Sequence, residues 1–119
     1  MEKGIIRLEG KKLVVMLQKE LDHHNATAIK DMIDEYILAG KAEEVVFDFT
    51  RTSFMDSSGI GIIMGRYKLL KAIGGNIYVT NMDKNVERIF SISGLFKIVS
   101  KIWLKYRIML NVKGRDEYE

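Results

Sequence analysis

Residues 44–49 read Glu-Val-Val-Phe-Asp-Phe, β-branched and aromatic and largely apolar toward both sides. A strand that is apolar on one face can line a sheet wetted on the other, but one that is apolar on both must be covered twice. This run therefore reads as a central strand with helices packed over it. The flanking sequence supplies the other layers. Residues 5–8 and 13–17 are short strand-like runs separated by Glu9-Gly10-Lys11-Lys12, the spacing of a hairpin. Asn25 stands where it can cap a helix, in which Ile29, Met32, Ile33, Tyr36 and Ile37 recur at three-and-four spacing opposite Lys30, Asp31, Asp34 and Glu35, and Gly40 stops it.

A second helix is predicted to open near Ser57, with Ile60, Ile63, Met64, Tyr67, Leu70 and Ile73 as its stripe and Gly74-Gly75 as its end. Residues 76–80 form a further strand. Val86, Ile89 and Phe90 line a short helix ending at Gly94, and residues 97–100 suit an edge strand. Residues 102–112 are apolar without clean periodicity and are read as a last helix over the sheet. The expected fold is α/β: a small mixed β-sheet of four to five strands packed against about four helices. A chain of 119 residues makes one domain, placed at residues 1–113, with the polar residues 114–119 as a frayed tail.

Composition narrows the function. The absence of cysteine excludes a disulfide scaffold, a thiol nucleophile and any thiolate metal site. A net charge of +3, with basic residues scattered and not interleaved with aromatics, is no nucleic-acid footprint. No apolar stretch is long enough to span a membrane, and the charged first ten residues lack a signal peptide's apolar segment, so a cytoplasmic location is expected.

The most unusual segment is Thr52-Ser53-Phe54-Met55-Asp56-Ser57-Ser58-Gly59-Ile60-Gly61, where a buried strand hands over to a helix. Asp56 or Ser57 can cap the free amides of the first turn, and a capped helix is one complete reading. The other is an exposed serine hydroxyl at a helix start, where a phosphate would meet the positive end of the helix dipole but crowd Asp56.

Phe54-Met55-Asp56-Ser57-Ser58-Gly59-Ile60-Gly61 followed by Gly65-Arg66-Tyr67-Lys68 resembles the STAS-domain anti-sigma factor antagonists. Glu20-Leu21-Asp22-His23-His24, Val86-Glu87-Arg88-Ile89-Phe90 and Ser93-Gly94-Leu95-Phe96-Lys97-Ile98 fit the same family, and together they are most similar to its sporulation members. The resemblance extends to about Val99. It implies a regulatory binding protein without catalytic activity. Its partners would be an anti-sigma factor that is also a serine kinase of the histidine-kinase-like ATPase fold, and a serine phosphatase. Binding would release the sporulation sigma factor, and phosphorylation of Ser57, the serine directly after Asp56, would inactivate the chain. The contact surface implied comprises Asp22, His23, His24 and Asn25 with Met55, Asp56, Ser58, Gly59 and Ile60. A monomer is expected, with self-association open. Two departures stand out: Lys19 occupies a position where the family usually carries glycine, and the basic, apolar residues 101–113 with Trp103 replace an acidic last helix. Trp103 either closes the core or serves a second contact, and packing is the favoured use.

Other chemistries fit less well. Asp22-His23-His24 also occurs in metal-dependent phosphoesterases, but adjacent histidines generally point apart and the chain is short for that class, so no metal is expected. The triplet is otherwise a capping loop or a partner surface. Gly59, Gly61 and Gly65 have the wrong order for a dinucleotide fingerprint, and no phosphate loop ends in Gly-Lys-Ser/Thr, so no cofactor is expected. Gly61 and Gly65 are read instead as letting the helix approach the sheet or a partner closely. Gly-x-Ser-x-Gly is absent, which argues against a serine hydrolase. Arg66, Lys68 and Arg88 are either solvated or help recognise the partner or steady phosphate electrostatically. The alternatives to the sporulation reading are a STAS protein of a general stress or other signalling pathway, and a small-ligand or lipid-sensing STAS domain.

Overall fold

Strand β1 (Ile5–Glu9) reverses through Gly10, at φ +63°, into the antiparallel β2 (Lys12–Met16), with Glu9 opposite Lys12. The hairpin predicted from its glycine is present in the computed structural model, which describes residues 5–95. The chain continues through a short β3 (Glu20–Leu21), α1 (Ala26–Leu38), β4 (Glu44–Asp48), a short β5 (Phe54–Met55), α2 (Ser57–Lys71), β6 (Asn76–Thr80) and α3 (Lys84–Ser93). The expectations for residues 97–100, 102–112 and 114–119, and for Trp103, lie outside the described residues.

The main sheet has the order β1-β2-β4-β6. β1 and β2 are antiparallel, whereas β2–β4 and β4–β6 are parallel, so the sheet is mixed as expected. Val45, Val46 and Phe47 of β4 are wholly buried, which is the double covering their sequence demands. Tyr78 of β6 lies beside β4 and donates from its hydroxyl to Glu44 Oε2 at 2.7 Å. Burial, with the Glu44 carboxylate beside it, pushes the Tyr78 phenol up to about 12. Phe49, just past β4, meets Phe90 of α3 edge to face at 5.6 Å, tying the last described helix to the core.

Both long helices differ in detail from their sequence stripes. In α1, Ala26, Ile29, Ile33 and Ile37 are buried, but Met32 is 44% exposed, and Asp34, expected on the solvated face, reaches an interhelical ion pair. In α2 the buried set is Gly59, Ile62, Ile63, Arg66 and Leu70, while Ile60, Met64 and Tyr67 pack at its margin and Ile73 is exposed. The helix is rotated relative to the predicted stripe because Gly59 must face Met55 and Leu21. A Cβ on Gly59 would lie 2.4 Å from Met55 Cγ and 2.9 Å from Leu21 Cδ2.

One feature escaped the periodicity. β3 and β5 form a separate parallel pair, Glu20 opposite Phe54 and Leu21 opposite Met55. The Ser53 amide donates to the Lys19 carbonyl at 2.8 Å and the Asp56 amide to the Leu21 carbonyl at 3.1 Å. These bonds draw the loop after β2 against the loop after β4, and so assemble the site. Lys19 is tolerated there because its own φ is not positive, so the position makes no demand for glycine.

Candidate functional site

The corner begins with a cap. Asp56 is extended at φ −103°, and its Oδ1 accepts from the Ser58 amide at 2.8 Å, so of the two candidate caps it is Asp56 whose side chain does this. Partial burial pushes the Asp56 carboxyl up, but hydrogen bonds from the Ser58 and His23 backbones and side chains outweigh it, and the group is held below its ordinary value. Ser57, the first residue of α2, is thereby left exposed beside a carboxylate that already occupies the Ser58 amide.

An Asp56→Ala variant is expected to lose about 1 kcal/mol at neutral pH, measured by urea denaturation. A carboxyl held low in the folded state stabilises it above the unfolded pKa, roughly 4, and that contribution disappears as pH falls through the lowered folded value. The gap between wild type and variant should therefore close in acid. A gap that persists unchanged there would rule out the ionised cap.

The second part is the loop before α1. Asn25 occupies the N-cap position but makes no side-chain cap bond. Its Oδ1 accepts from the Asp22 amide at 3.1 Å and its Nδ2 donates to the Glu20 carbonyl at 2.7 Å. Asn25 therefore closes the loop backward instead of capping the helix forward. Asp22 Oδ1 accepts from the His24 amide at 2.9 Å, and the Asp22 carbonyl accepts from the Ala26 amide at 2.9 Å.

The two histidines do not point apart as expected. Their rings lie against each other, tilted by 36° with centroids 4.0 Å apart, each near a carboxylate: His23 Nδ1 lies 3.7 Å from Asp56 Oδ2, and His24 Nδ1 lies 3.7 Å from Asp22 Oδ1. The His23–Asp56 approach joins the two loops. Among the described residues no group of three or more His, Cys, Asp or Glu could hold a metal ion.

The implied contact residues thus divide. His23, His24 and Ser57 are exposed, while Asp22, Asn25, Asp56, Ser58 and Ile60 are partly so. Met55 and Gly59 are corrected: Met55 is 1% exposed and Gly59 is buried against it, so they form the floor of the corner, not its contact face. Their apolar contact with Leu21 is what the β3–β5 pairing brings about.

Arg66 is a second correction. Instead of being solvated it is 8% exposed, with Nε 2.9 Å from Asp34 Oδ1, linking α2 to α1. An arginine in a helix reads as polar surface, and only the facing Asp34, which no local window of sequence brings near it, makes its burial tolerable. Gly61 and Gly65 do not let α2 approach the sheet, because a Cβ on either would meet nothing within 4 Å. Between α1 and α2 lies an open depression of about 340 Å³, with His23 and Ser58 at the corner and Lys30, Gly61 and Arg66 along its walls.

The STAS-domain profile matches residues 4–109. The chain is 42% identical over 87 residues to the anti-sigma F factor antagonist of Paenibacillus polymyxa, covering 73% of this chain and 74% of that protein. The chain belongs to the STAS-domain anti-sigma factor antagonists. Among solved structures it is similar to unphosphorylated SpoIIAA, an anti-sigma factor antagonist, at 31% identity and TM-score 0.67, covering 74% of this chain and 81% of that one. It is also similar to the Bacillus cell fate determinant SpoIIAA in its phosphorylated form, at 32% identity and TM-score 0.68, covering 81% and 87%. The expected family and its fold are confirmed. Among the described residues of this STAS domain, no helix is long and apolar enough to cross a membrane.

Proposed function

We propose that this STAS domain is a phosphorylation-switched binding protein without catalytic activity of its own. Unphosphorylated, it binds an anti-sigma factor that is also a serine kinase and so releases a sporulation sigma factor. Phosphorylation of Ser57 turns it off, and a serine phosphatase restores it. The observation that carries the reading is the exposed Ser57 at the start of α2, beside the Asp56 cap that His23 approaches. The likeness to a protein solved in both phosphorylated and unphosphorylated forms supports it.

The physical case is electrostatic. Phosphate would bring about two negative charges next to an Asp56 already held ionised. The Ser58 amide is engaged by that same carboxylate, so a phosphate would compete with Asp56 for it. The added charge alters the exposed corner while the buried floor of Leu21, Met55 and Gly59 is untouched. A change in binding without unfolding follows.

The test is peptide mapping by mass spectrometry after incubation with the cognate anti-sigma kinase, Mg²⁺ and ATP. A single phosphate on Ser57, absent from Ser57→Ala, is expected. Phosphate on Ser58 would overturn the residue assignment. No phosphate, from a kinase active on another substrate, would overturn the switch.

A further inference from the structure

Two glycines inside α2 are not required by the fold. Gly59 is, since a Cβ there would overlap Met55 and Leu21. Gly61 and Gly65 have no positive φ, and a Cβ on either would meet nothing within 4 Å. Glycine within a helix is less stable than alanine because it loses more backbone freedom on folding. The two lie about one turn apart, on one face of the helix, with Gly61 exposed and Gly65 partly so. Bare backbone that brings the isolated chain no packing gain suits close approach from outside.

A separate observation points to what approaches. Arg66 is 8% exposed and lines the depression between α1 and α2 together with Gly61, Lys30 and Ser58. Its Nε lies 2.9 Å from Asp34 Oδ1 but out of hydrogen-bond alignment, and its Nη1 reaches the Ile62 carbonyl at 3.5 Å. A buried guanidinium therefore lines the depression with donor capacity unspent. Lys30 adds a second cation, 3.4 Å from Asp34 and 3.3 Å from Asp31. Neither Asp31 nor Asp34 lines the depression, so the charged side chains on its wall are the cations Lys30 and Arg66.

We propose that the α1–α2 groove receives an acidic side chain of the protein that docks at the Ser57 corner, whose backbone passes closely over Gly61 and Gly65. Carboxylate is the anion that an unmodified protein side chain offers to a guanidinium and an ammonium together. The groove extends the corner continuously through Ser58 and His23, which line it. The inference rests on the functional reading above and adds a second contact to it.

The test measures folding stability and affinity for the cognate anti-sigma factor in Gly61→Leu, Gly65→Leu and Lys30→Glu, with Ser57→Ala as a control of intact binding. The glycine variants should unfold at the same or a higher denaturant concentration than wild type, yet bind at least about tenfold more weakly. Lys30→Glu should lose about tenfold at low salt and less at high salt. Wild type failing to bind would overturn the functional reading, and this inference with it. Wild-type binding matched by Gly61→Leu and Gly65→Leu would overturn the groove while leaving that reading standing. Weak glycine variants beside an unaffected Lys30→Glu would overturn the acidic chemistry.

Discussion

A Gly75→Ala variant is expected to lose at least about 3 kcal/mol of stability, because an added methyl group there meets the tightest contact of any described glycine. Gly75 joins α2 to β6, and a Cβ there would lie 2.0 Å from the backbone carbonyl oxygen of Glu43 and 3.3 Å from that of Leu70. Neither is the free end of a side chain that can swing away. Glu43 leads into the central strand β4, and its amide donates to the Lys11 carbonyl at 2.8 Å, so it is held on its other side. The Gly75 amide itself donates to the Leu70 carbonyl at 2.7 Å. Relief of the overlap must therefore shift either β4 or the end of α2. Neighbouring Gly74 supplies the comparison: its φ is +80° but a Cβ would stand in open space. Gly74→Ala should lose only about 1–2 kcal/mol, the cost of a left-handed residue. Equal losses for the two variants in urea denaturation would mean that backbone conformation, not the Glu43 contact, governs this turn.

Ser57→Asp should bind the cognate anti-sigma factor about ten- to a hundredfold more weakly than wild type, because like charges brought together at an interface cost several kcal/mol. Ser57→Ala should bind like wild type. The phosphoprotein, with about two charges where Asp has one, should be weaker still. Ser57 stands exposed at the start of α2, and Asp56 already contributes a carboxylate there, so the added charge meets one of its own sign. Titration calorimetry at two ionic strengths measures this directly. The deficit should shrink as salt rises, and the denaturation curves of all three forms should agree closely. Equal affinity of wild type and Ser57→Asp at matched salt would sink the electrostatic account.

These two sites were not equally legible. The Asp56–Ser57 corner was visible in the chain because capping is local: a short polar side chain satisfies amides one or two residues on, and the run of small residues marks the handover from strand to helix. The glycines at 74 and 75 announced the end of α2, but not that one needs a left-handed backbone and the other an absent side chain. That distinction belongs to Glu43, which arrives from a different part of the chain. The β3–β5 pair was invisible because two-residue ladders carry no periodicity. It nonetheless sets Asp22 to Asn25 beside Asp56, and turns Met55 and Gly59 from contact residues into a floor. The approach of His23 to His24 ran against expectation, in a loop closed by Asn25, whose side chain folds back to Glu20 and Asp22 instead of capping α1.

The amino-acid sequence by itself determined the order of the four main-sheet strands and the three described helices, the central place of residues 44–49, and the serine-bearing corner at the head of α2. Hydrophobic period, turn glycines and caps act over a few residues, so a short window contains their cause. Only the tertiary structure decided that Arg66 is buried against Asp34, that Gly61 and Gly65 face outward, and that His23 reaches Asp56. Those outcomes depend on which side chains meet across distant segments, and a buried charge or a bare helix face is settled by its neighbour in space and not by its neighbour in sequence.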